Sequence, residues 1–120
     1  MRYAQIVGRQ EGDHVALLTE RLRGSAPPPP EPDFGDALTD SARFRGVAIE
    51  LEESTLAVYI GQAANLTVPT MVAIAPLISV EARQAAWLRD LAGVSPAPRA
   101  ADPARKPEDV VSELRERGFI

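Results

Sequence analysis

A run of prolines constrains this chain more than anything else in it. Residues 24–37 read GSAPPPPEPDFGDA. Each proline locks φ and lacks a backbone N–H, so this segment is neither a helix interior nor a central strand. It reads as a connector that is polyproline II in part. At ~3.1 Å per residue its extended reach is roughly 45 Å. A helix of 24 residues is only about 36 Å long. The connector can therefore run the full length of the helices it joins, which allows them to be parallel.

The segments on both sides are helical in pattern. Residues 2–22 (RYAQIVGRQEGDHVALLTERL) repeat apolar residues at helical spacing, with Gly24 as a stop. A second helix is expected over 41–64, with Thr39, Asp40 and Ser41 as competing caps. The turn NLTVP follows, with Thr67 as cap and Pro69 in the first turn of a third helix over 68–92. Pro76 should kink that helix, and Gly93 can end it. So short a turn makes the second and third helices antiparallel neighbours. Residues 95–106 form a Pro/Ala-rich linker, and 107–117 a short last helix with Glu108 and Asp109 at its positive end. No strand and no internal repeat is apparent, so the expected fold is all-α. One domain over 1–120 suits the length, with 24–37 as crossover and 95–106 as linker.

Composition closes off several functions. The chain has no cysteine, which excludes disulfides, thiolate metal sites and cysteine nucleophiles. Its net charge is −4 with scattered basic residues, so neither nucleic acid nor an anionic membrane is an expected partner. No apolar run approaches the ~18 residues of a membrane span, and the start has no signal-peptide pattern. The expected location is the cytoplasm, or an exported one if the true N-terminus lies upstream. Ser54, Ser79 and Ser95 have no triad context, and no glycine-rich phosphate loop is present. Arg89 and Asp90 read as a solvated face beside Trp87, a partly buried anchor.

What remains is a set of carboxylates in the wrong place for solvent. On the first helix Val7, Glu11, His14 and Leu18 fall within about 60° of one another on a helical wheel. On the second, Glu52 shares a stripe with Ala48, Leu56, Tyr59 and Ala63, while Glu50 and Glu53 point elsewhere and read as solvated. On the third, Glu81 is centred among Ile74, Leu77, Ile78, Ala85 and Leu88, with Gln84 at the edge. A buried carboxylate must protonate or find a partner. A cation, with His14 as nitrogen ligand, would satisfy three carboxylates at once. Ordinary readings stand beside this one. A lone Glu-x-x-His is a weak signal, Glu11 can pair with Arg45, and Glu52 can accept the Tyr59 hydroxyl.

The blocks EGDHVALLTERL, PDFGDALTD, ELEESTLAVYIGQAANL, SVEARQAAWLRDLAG and the closing RGFI, in that order, resemble the ferritin-like domain family in its desiccation-related branch. The resemblance covers nearly the whole chain. It implies a helical bundle with a long crossover, of which these three long helices are the second, third and fourth. The first helix is then missing, as in an N-terminally truncated member.

Ferritin-like di-metal sites take one Glu from each of two helices and a Glu-x-x-His pair from each of the other two. By this resemblance Glu11 and His14 match one pair, Glu52 a single carboxylate, and Glu81 the Glu of the other pair. Gln84 stands where that pair's histidine belongs. Four ligands of six imply a degenerate site in a structural or stress-related protein that is not an enzyme. The alternative is a metal-binding protein or oxidase in which Glu11, His14, Glu52 and Glu81 hold a single iron or manganese ion. Loss of one bundle helix would leave an open apolar groove, so a homodimer or a partner helix is expected to cover it.

Overall fold

The computed structural model describes residues 2–120. Helix α1 spans Arg2–Leu22, α2 Ser41–Gln62, α3 Val68–Leu91 and α4 Pro107–Glu116, with 3-10 turns at Gly35–Leu38 and Ala63–Asn65. No strand occurs among the described residues, so the fold is all-α. No described helix is long and apolar enough to cross a membrane. The chain divides into two compact units, Met1–Glu31 and Pro32–Ile120.

The first unit is α1 and the head of the proline connector. Arg23 and Gly24 both take positive φ, which breaks the helical path. The Ser25 amide donates to the Leu22 carbonyl at 2.9 Å, satisfying an acceptor at the helix end. Tyr3 and Val7 are the buried residues of this helix.

The second unit begins with a turn that the proline pattern did not announce. The Gly35 amide donates to Asp33 Oδ1 at 2.9 Å, and the Thr39 hydroxyl donates to the Asp36 carbonyl at 3.2 Å. They brace a 3-10 turn over Gly35–Leu38 just before α2, in which the Ala37 and Thr39 amides donate to the Phe34 and Asp36 carbonyls at 3.1 and 3.0 Å. Of the competing caps, Asp40 is the one used. Its Oδ1 accepts from the amides of Ala42 and Arg43 at 2.8 and 2.9 Å. The Thr67 Oγ1 accepts from the Thr70 amide at 3.4 Å and caps α3, with Pro69 in the first turn. Helix α3 continues through Pro76 without a break.

Helices α2 and α3 pack on each other. The short turn between them makes them antiparallel. Leu56, Ala57, Ile74, Leu77, Ala85 and Leu88 are buried. Full burial of a large apolar side chain contributes ~1.5–3 kcal/mol. Glu53 and Arg89 were expected to be solvated, and they are not. The two form an ion pair between α2 and α3, with side chains only 28% and 18% exposed. Arg99 Nη2 lies 3.4 Å from the other oxygen of Glu53.

Residues 95–120 lie along α2 as a strap. The Arg105 amide donates to the Ala57 carbonyl at 2.9 Å. Val110 of α4 is buried. Arg105 pairs with Glu113 at 2.7 Å, and Arg117 with Glu50 at 2.6 Å. Arg117 also stacks 4.5 Å above the Phe119 ring. That ring meets Phe34 edge-on at 5.6 Å, while the Asp33 amide donates to the Phe119 carbonyl at 2.9 Å. The closing RGFI thus clips the start of this unit to its end.

Candidate metal site

In the first unit, Glu11 and His14 sit one turn apart on α1. His14 Nδ1 lies 3.5 Å from Glu11 Oε1. The helical spacing that places them on one face is what brings the two together. Their burial is unequal. The His14 side chain is 11% exposed and that of Glu11 is 42% exposed. Glu11 therefore sits at the border of the buried stripe and not at its centre. A carboxylate there keeps part of its hydration, which lowers the cost of holding a charge at that position.

In the second unit, α3 carries the more deeply buried polar pair. Glu81 is 1% exposed and Gln84 3%. Three residues apart on a helix, they share a face. They lie among Ile74, Leu77, Ala85 and Leu88, all buried. Sequence periodicity put Gln84 at the edge of this stripe, but it is interior. An interior amide has one acceptor oxygen and two donors to satisfy. Glu52 of α2 is half-buried, one turn before the buried Leu56.

Chemically these residues offer one imidazole, three carboxylates and one amide. Imidazole and carboxylates suit iron and manganese, whereas a neutral amide oxygen is a poor transition-metal ligand. Of the two Glu-x-x-(His) pairs, the α1 pair carries the full donor set and the α3 pair does not.

Sequence reasoning missed the ion pairs that surround α2. Glu50 and Glu53 are not idle surface carboxylates, since they hold Arg117, Arg89 and Arg99. No local pattern signals such pairs, because the partners lie far apart in the chain.

A family model described as "Ferritin-like domain" matches residues 1–94. No curated protein and no solved structure matches the chain.

Proposed function

This chain belongs to the ferritin-like domain family, and we propose that it is a non-catalytic member whose metal site has decayed. The observation that carries this is Gln84, 3% exposed one turn from the buried Glu81. By the family's ligand pattern a histidine belongs there. Glutamine at that depth removes the only nitrogen donor of the α3 pair. Glu11, His14, Glu52 and Glu81 then supply four of six ligands. A redox-active di-metal centre does not fit that set, so no oxidation step is assigned to it. The domain acts instead as a structural or interaction module.

A second reading has one observation in its favour, the contact between His14 Nδ1 and Glu11 Oε1 at 3.5 Å. In that reading Glu11, His14, Glu52 and Glu81 hold one iron or manganese ion, which would supply Lewis acidity there. His14 gives the nitrogen donor and the carboxylates balance the charge.

The stress-related part of the proposal rests on the resemblance of the ordered sequence blocks to the desiccation-related branch. A cytoplasmic location belongs to the same proposal, and cell fractionation checks it. Metal analysis of protein purified without chelator separates the two readings of the site. Substoichiometric metal supports the first, and one transition-metal ion per chain establishes the second.

A further inference from the structure

Helix α3 buries one face, and much of its other face is exposed. Val68 is 76% exposed, Val72 68%, Leu91 48% and Trp87 36%. Pro76, Ser79, Arg83 and Asp90 share this exposed side. The apolar residues come in four-residue steps from each end of the helix.

The row is symmetric. Val72 and Trp87 lie equally far from the midpoint between Ser79 and Val80, and so do Val68 and Leu91. A twofold axis through that midpoint sets each small apolar residue against a larger one from another copy. We propose that this face of α3 docks a second copy of the chain, antiparallel, about Ser79 and Val80. In that register Val72 meets Trp87 of the second copy on both sides of the axis. Val68 and Leu91 of the second copy form the rim. Self-complementary matching is what an isologous dimer requires.

Charge selects the antiparallel sense. The first half of α3, VPTMVAIAPLISV, has no charged side chain, and its first turn has no acidic residue. The first turn therefore supplies no carboxylate of its own to the helix's positive end. Asp90 is exposed in the last turn of the same helix, where the dipole is unfavourable to it. The twofold register places Asp90 of each copy opposite Pro69 of the other, beside the positive end. Parallel pairing would stack the two Asp90 carboxylates at the negative ends.

Pro76 and Arg83 also match. Pro76 has no N–H, so the Val72 carbonyl one turn earlier loses its usual helical donor. Arg83 of the second copy stands opposite Pro76 in this register. Its Nη1 donates to Ser79 Oγ at 3.0 Å within the chain. The guanidinium has further N–H groups to offer the carbonyl.

The area sets the strength. Covering these four side chains buries on the order of 400 Å² per copy, about half of the ~800 Å² per partner in a standard interface. The dimer is accordingly expected at the weak, reversible end of protein–protein association.

The test uses the whole chain. Sedimentation velocity over low to high micromolar protein should show a monomer–dimer equilibrium. Val72→Asp should weaken it at least tenfold with an unchanged circular dichroism spectrum, since Val72 is exposed in the monomer. The chain has no cysteine, so Ser79→Cys gives a single thiol beside the axis. Under mild oxidation it should form a covalent dimer much faster than Thr19→Cys, a control on α1. A monomer throughout the range, a dimer indifferent to Val72→Asp, or equal crosslinking of the two cysteine variants overturns the proposal. Dimerisation through another face would appear as the second or third of these results, and a face that serves a different partner helix as the first.

Discussion

Gly61 and Arg105 touch backbone to backbone. A Cβ built on Gly61 would overlap the carbonyl of Arg105, and the Arg105 amide is already bound to the Ala57 carbonyl at 2.9 Å. The strap can lie this close to α2 only because the helix presents no side chain there.

Gly61→Ala should therefore destabilise the protein by about 1–3 kcal/mol, the usual cost of overpacking. It should also speed proteolysis within residues 95–106. Gly46 is in the same helix, and a Cβ there meets nothing within 4 Å. Gly46→Ala should stabilise by up to ~1 kcal/mol through helix propensity and a less flexible unfolded chain. Opposite signs for one substitution in one helix are the expected result of paired denaturant melts. Equal signs would show that the strap does not rest on Gly61.

Asp40 supplies a pH-dependent prediction. The amides of Arg43 and Ala42 hold its carboxyl below the usual carboxylate value. A depressed folded pKa contributes stability above the unfolded value, near 3.8. That contribution is lost as pH falls through the folded pKa. Asp40→Ala should lower the thermal midpoint at pH 7, and the difference from the parent should shrink steadily below pH ~4. Asp40→Asn should keep most of the cap, because its side-chain oxygen still accepts from the amides. Melts between pH 2.5 and 7 check the sign.

Glu53 holds two arginines, Arg89 and Arg99. Glu53→Ala leaves the largely buried Arg89 without this partner and should cost about 2–4 kcal/mol. Arg99→Ala should cost less than ~1 kcal/mol, because that side chain is 48% exposed and its interaction is screened. The larger loss should persist at high salt, and the smaller should vanish.

His14→Ala tests the site through stability. If no cation is held, the loss should be about 1–3 kcal/mol for a mostly buried polar group. It should then be the same with and without chelator. A loss that appears only in the absence of chelator would establish the single-ion reading.

Local chemistry made most of the fold legible. Asp40, Thr67, Pro69, Gly24 and Gly93 each act at the helix boundary where their backbone preferences suggested. The four predicted helices end within two residues of those observed. The 3-10 turn at Gly35–Leu38 was not legible, because its short backbone bonds lie inside an apparent linker and are braced only by the Asp33 and Thr39 side chains. The apolar stripe around Glu81 was read correctly, whereas Gln84 is deeper and Glu11 shallower than periodicity suggested. A wheel gives direction around a helix but not the height of the neighbouring surface. Glu53 and Arg89 read as solvated because their partners come from elsewhere in the chain.

The central claim is that this ferritin-like chain carries a decayed metal site. Metal content of the whole protein, purified without chelator and measured by inductively coupled plasma mass spectrometry, tests it most directly. The account predicts well under one transition-metal ion per chain. It also predicts no oxygen consumption above background when ferrous iron is added. One or more tightly held iron or manganese ions per chain would contradict it, and two ions with rapid iron oxidation would do so completely.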